Sequence, residues 1–86
     1  MPTISSFYGI FIRMFFNDHA PPHFHVEYGE FKAVINIATL QMYEGGLPRR
    51  ALNLVLDWAE LHQKELLEDW TLCQAKQPPK PITPLQ

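Results

Sequence analysis

The sequence predicts an α+β fold, a four-stranded antiparallel meander followed by a long or kinked C-terminal helix packed on one sheet face. Three observations predict it. Apolar and polar residues alternate through the first half of the chain, with Gly and Pro marking the turns. Gly29-Glu30 falls between two such runs with the two-residue spacing of a hairpin. From Pro48 to Lys76, by contrast, no Gly or Pro intervenes, and apolar residues recur at three- and four-residue steps.

Strand one is expected over Ile4 to Phe16, where Tyr8, Ile10, Ile12, Met14 and Phe16 occupy every even position from Tyr8 onward and define a core face. His23 to Tyr28 alternates again, with Phe24, Val26 and Tyr28 inward and His23, His25 and Glu27 on the opposite face. Strand three, Phe31 to Ile37, puts Phe31, Ala33, Ile35 and Ile37 on the core side. A short fourth strand is expected at Leu40 to Tyr43, before Gly45-Gly46. Pro48 suits a first helical turn. A continuous helix from there would run ~43 Å, longer than the sheet beneath it, so a kink or break is expected near His62 to Lys64.

Pairing Tyr28 with Phe31 sets Glu27 against Lys32, His25 against Val34 and His23 against Asn36. Pairing Phe16 with Phe24 sets Phe15 against His25 and Arg13 against Glu27. Phe7, Phe11, Phe15, Val34 and Tyr43 then share a second face with the histidines. A single helical layer leaves that face uncovered, so Phe15, Val34 and Tyr43 are candidate interface residues.

The chain's 86 residues hold one domain, with a body over residues 1–76 and a proline-rich tail, extended or disordered, over residues 77–86. A hydrophobic fraction of 47% marks a folded globule, and a net charge of −2 gives no overall attraction to nucleic acid or anionic membranes. No DNA-binding signature is present. Cys73 is the single cysteine, which excludes an internal disulfide and a Cys-rich zinc site and suits a reducing cytoplasm. No segment approaches the ~20 apolar residues of a membrane span, and the apolar run at Phe7 to Phe16 lacks the flanks of a signal peptide. There is no phosphate loop, dinucleotide fingerprint or Ser-His-Asp arrangement. Trp58, Trp70 and His62 read as helix packing residues.

The chemistry concentrates in Asp18-His19-Ala20-Pro21-Pro22-His23-Phe24-His25, which holds three of the chain's four histidines. Imidazole titrates near neutrality and ligates metals. The opening Met1-Pro2-Thr3-Ile4-Ser5, then Phe7-Tyr8-Gly9-Ile10, the Asp-His-x-Pro-Pro-His-Phe-His segment, Leu47-Pro48 and Trp58-Ala59-Glu60-Leu61-His62 together resemble a family of short bacterial proteins catalogued only as a domain of unknown function. The resemblance covers about residues 1–76, with Ser6 and Gly46 departing from residues common in the family. It implies a bacterial origin and a place beside a second small protein, in pairs resembling toxin–antitoxin modules.

The histidine segment admits four readings. In the first, favoured for function, the protein binds a protein partner or itself within such a two-gene module, through His19, His23, His25, Phe15 and Tyr43. In the second, a histidine-dependent ribonuclease acts on RNA, with His19, His23 and His25 transferring protons and Arg13 or Lys32 holding phosphate. In the third, His23 and His25, with Cα atoms ~6.7 Å apart on one strand face, bind a divalent metal with His19 or Asp18 as third ligand. No cofactor is required by the first two. The last reading is structural: Asp18 and Pro21-Pro22 shape a hairpin connection.

Overall fold

The computed structural model describes residues 2–86, so Met1 of the opening motif lies outside the described residues. The fold is α+β: five strands, β1 (Thr3–Phe7), β2 (Ile10–Arg13), β3 (His23–Tyr28), β4 (Phe31–Asn36) and β5 (Met42–Gly45), then two helices, α1 (Arg49–Leu61) and α2 (Gln63–Gln74). All strand pairs are antiparallel, in sheet order β1-β2-β3-β4-β5.

The expected first strand is two strands. Tyr8 (φ 51) and Gly9 (φ 80) both occupy the left-handed region, and Phe7 pairs directly with Ile10 across them. Two consecutive positive φ values close a tight hairpin whose twist matches that of its strands. The unbroken apolar alternation hid this turn, because Tyr8 sat where a core residue was due, yet it is 62% exposed. The reversal also moves Phe7 from the predicted outer face into the core, where its ring lies 5.5 Å from that of Trp58.

Strand β2 ends at Arg13, and Phe16, expected opposite Phe24, is exposed in a turn beside Asn17 (φ 56). The β2–β3 register is therefore shifted by two residues from the predicted one: Arg13 faces His25 and Phe11 faces Glu27. A two-residue slip preserves the faces of a strand, so Ile10, Ile12, Phe24 and Val26 are all fully buried. The β3–β4 register is the predicted one, from His23 opposite Asn36 to Tyr28 opposite Phe31. Strand β5 starts later than expected because Asn36 organises a turn. Its side-chain oxygen accepts the Ala38 and Thr39 N–H groups, and its carbonyl accepts Leu40 N–H.

Ala51, Val55, Trp58 and Ala59 of α1 and Leu66, Trp70 and Cys73 of α2 share one buried cluster with Ile10, Ile12, Phe24, Val26 and Ile35. The break between the helices falls at His62 (φ −124, ψ 22). Nothing local demands it. The Gln63 side-chain amide donates to the carbonyls of Ile37 (2.8 Å) and Ala38, which fixes the start of α2 against the end of β4.

Residues 77–86 contain no helix or strand and lie against the body. Ile82 is buried, its N–H donates to the Ile4 carbonyl, and the Trp58 indole N–H donates to the Thr83 carbonyl. Lys80 N–H donates to Asp69 Oδ1 at 2.8 Å, while Asp69 Oδ2 is buried without a partner.

This architecture makes two positions informative for stability. Gly45 (φ +80) packs so closely on β4 that an added Cβ would strike the Lys32 carbonyl and lie 2.9 Å from Ala33 Cα, whereas Gly29 (φ +57) faces open space. Gly45→Ala is expected to cost about 2 kcal/mol or more, a melting-temperature loss on the order of 10 °C, and Gly29→Ala about half of that; thermal denaturation of both variants checks the ranking. Burial pushes the Asp69 carboxyl above the usual range, Glu65 and Glu68 adding to the shift while the Lys80 N–H bond and charge oppose it. A raised folded-state value means the unfolded chain releases this proton first, so stability falls as pH rises through that window. Asp69→Asn retains an acceptor for Lys80 and removes the titration. Its stability relative to wild type is expected to improve from the ordinary carboxylate range upward and to level off once Asp69 is ionised, as measured by melts across pH.

Candidate functional site

The site is built from the loop between β2 and β3 and the start of β3. Because strand residues alternate, His23 and His25 project from the same side of β3, away from Phe24 and Val26. The loop then folds back over them. Asp18 Oδ2 lies 2.8 Å from His23 Nε2 and 2.8 Å from His25 Nε2, while Asp18 Oδ1 accepts the His19 backbone N–H. The second nitrogen of His23, Nδ1, lies 2.8 Å from the Pro21 carbonyl oxygen, which can only accept.

Helix α2 closes the site from one side. The Trp70 ring lies 5.1 Å from that of His23, and the Gln74 side-chain amide donates to the Asp18 carbonyl at 3.0 Å. Tyr43 packs edge-on to His23 at 6.0 Å, and Phe15 lies 4.2 Å from the His25 ring. His23 is thereby buried at 5% exposure although it points off the core face, while His25 and Asp18 stay partly open.

Electrostatics follow from these contacts. Burial alone would raise the Asp18 carboxyl, but hydrogen bonds from His25 and His23, with the charge of His23, outweigh it and hold Asp18 below the usual carboxylate range. Burial, with the negative charges of Asp18 and Glu44, pushes the Tyr43 hydroxyl up.

Among the described residues, Asp18, His23 and His25 form a group able to hold a metal ion, with one ligand atom from each and all three atoms within 4.8 Å of one another. The other candidates stand apart. His19 is exposed and its ring is not part of the group. Arg13 is engaged elsewhere, 3.4 Å from Glu27 and with its guanidinium 5.7 Å from the centre of the Phe11 ring. Beside His25 the outer face opens into a groove of about 310 Å³ lined by Phe15, Glu27, Lys32, Val34 and Glu44. Phe15 and Val34 thus border the histidine corner, and Tyr43 is half exposed next to His23. Sequence reasoning missed Trp70, Gln74 and the Pro21 carbonyl. The first two read as ordinary helix positions, and a main-chain acceptor leaves no mark in residue types.

Residues 9–71 match the family described as Domain of unknown function (DUF4160). The chain belongs to the DUF4160 family. The matched region contains the whole Asp18–His23–His25 group and Trp70, and leaves out Gln74, all of β1 and the tail. No curated protein and no solved structure matches this DUF4160 chain. Among its described residues no helix is long and apolar enough to cross a membrane.

Removing the shared acceptor tests the geometry. Asp18→Ala leaves a buried imidazole nitrogen unpaired and is expected to cost roughly 1–3 kcal/mol, whereas His19→Ala should stay within about 0.5 kcal/mol; chemical denaturation of the two variants checks the contrast.

Proposed function

We propose that this DUF4160 protein binds a divalent transition-metal ion through Asp18 Oδ2, His23 Nε2 and His25 Nε2. The observation that supports the reading is the pair of contacts made by His23. Its Nδ1 faces a main-chain carbonyl, so Nδ1 carries the proton, and in the neutral ring Nε2 presents a lone pair. That lone pair meets a carboxylate oxygen 2.8 Å away. A cation seated where the three ligand atoms converge would engage that lone pair and the carboxylate together. A ligating histidine that donates its other N–H to a carbonyl is the common supporting arrangement of metal sites.

The donor set fits. Two imidazoles and one carboxylate suit zinc, iron or cobalt in the divalent state rather than calcium or magnesium. Bonds of about 2.0–2.1 Å around a tetrahedral ion separate ligand atoms by ~3.3 Å. The two carboxylate–imidazole separations of 2.8 Å then open by about half an ångström, which a partly exposed loop carboxylate accommodates, and the two imidazole nitrogens already lie within 4.8 Å of each other. Three protein ligands leave a position for water or a further donor, as in sites that bind exchangeable ligands rather than purely structural ones.

A second reading draws on a different observation. Phe11 and Tyr43 are 41% and 50% exposed on the sheet face that the helices leave uncovered, and the charged groove beside His25 adjoins them. These features support a partner-binding surface with the metal corner at its edge, and the resemblance noted in the sequence suggests as its setting a two-gene, toxin–antitoxin-like module of the bacterial cytoplasm. The ribonuclease reading draws less support, because Arg13 is taken by Glu27, His23 is buried and His19 lies apart.

Titration of metal-free protein with Zn²⁺ is expected to give one site and a higher melting temperature. A free ion concentration one hundred times Kd adds about 2.7 kcal/mol. Asp18→Ala, His23→Ala and His25→Ala should each weaken binding at least tenfold, and His19→Ala should leave it unchanged. Calorimetry showing no saturable binding, or binding indifferent to His23→Ala, would remove the proposal. For the second reading, co-expression with the neighbouring gene product should yield a complex that Phe15→Glu disrupts.

A further inference from the structure

Two residues break local rules at one end of the sheet. Tyr8 holds the first central position of the β1–β2 turn at φ 51, where Asn, Asp or Gly is favoured and a bulky side chain is strained. Its ring is 62% exposed, so the core gains little from it. Helix α1 opens on Arg49-Arg50, with no acidic residue in its first turn and no side-chain cap at Pro48. Cations there oppose the helix dipole, and among the described residues Arg50 makes no ion pair in return. Side chains held against local preference concentrate where a protein binds or reacts.

Both residues border the same cleft, about 390 Å³ in volume, between the β1–β2 turn and the start of α1. Small-molecule sites begin at about this size. Ile10, Ala51, Leu54 and Leu85 give the cleft apolar walls, and Tyr28, the cross-strand partner of Ile10, adds a second phenol. The turn seats both rings. Tyr8 packs edge-on to Phe7, with ring centres 6.4 Å apart, and Gly9 lies so near Tyr28 that an added Cβ would be 3.7 Å from its ring. No acidic side chain lines the cleft, so its charge is the single guanidinium of Arg50.

We propose that this cleft binds a small aromatic monocarboxylate, its carboxylate on Arg50 and its ring against Tyr8, Tyr28 and the apolar walls. The planar guanidinium matches a carboxylate through two parallel N–H bonds, and one cation selects one negative charge. Two phenol rings favour an aromatic body over an aliphatic one through edge and offset contacts. The site shares no residue with Asp18, His23 and His25 and needs no metal.

Cinnamate titrated into metal-free, ¹⁵N-labelled full-length protein tests this by NMR. Amide shifts should saturate below about 1 mM and centre on Tyr8, Tyr28 and the first turns of α1. Neutral cinnamamide should bind about tenfold more weakly, and octanoate, with the same charge but no ring, about fivefold more weakly. Arg50→Gln should weaken cinnamate about tenfold and Tyr8→Asn about fivefold. Both replacements relieve a local conflict, so melting temperatures equal to or above that of wild type are expected, and weaker binding then reports the site rather than unfolding. Arg49→Gln removes the same charge outside the cleft and should bind as wild type does. Absence of saturable shifts, equal binding of cinnamamide, or wild-type affinity in Arg50→Gln would overturn the proposal. Octanoate binding as tightly as cinnamate would overturn the aromatic assignment.

Discussion

The Asp18 carboxylate is the group through which the loop, the central strand and the second helix are tied together. One oxygen faces both imidazoles of β3, the other organises the loop that carries it, and the carbonyl of the same residue receives the Gln74 amide from α2. The long loop between β2 and β3 would otherwise have few reasons to hold one conformation. Because the carboxylate folds back over the strand, His23 becomes buried on the face that should have been its exposed side. Trp70 and Tyr43 then complete a small enclosure around it.

The core makes that enclosure sustainable in a chain this short. Small domains bury a modest share of their surface, and each large side chain counts. Trp58 is fully buried between Phe7 and Phe24, and its one polar atom is satisfied by the tail carbonyl of Thr83. The helix pair, the β1–β2 hairpin and the tail thus converge on one indole. The outer face is left to Arg13, His25, Glu27, Lys32 and Val34. There opposite charges pair across strands, and a groove opens beside the imidazole that is the more accessible of the two.

Much of this is legible in the residues. The alternation of His23 to Tyr28 and the Gly29-Glu30 turn determine both the faces and the register of the central hairpin, because side-chain direction has a period of two and a two-residue loop leaves no slack. The helix break is predictable from length alone, although its cause, Gln63 reaching the end of β4, depends on the tertiary fold. The Tyr8-Gly9 turn is not, because an exposed tyrosine in the left-handed region reads, by type, as a strand residue. At the site, the histidines and Asp18 announce themselves by residue type and spacing. His19 and Arg13 do so equally and are not part of the group, since type cannot say which way a loop side chain turns. The pinning of His23 by the Pro21 carbonyl is a main-chain contact with no sequence signature.

Cobalt spectroscopy tests the central claim most directly, because the visible bands of Co²⁺ report its coordination geometry and ligands. Metal-free protein titrated with Co²⁺ should develop intense tetrahedral bands with an endpoint at one ion per chain, and His23→Ala should abolish them. The weak spectrum of hydrated Co²⁺, identical in wild type and His23→Ala, would contradict a metal site at Asp18, His23 and His25.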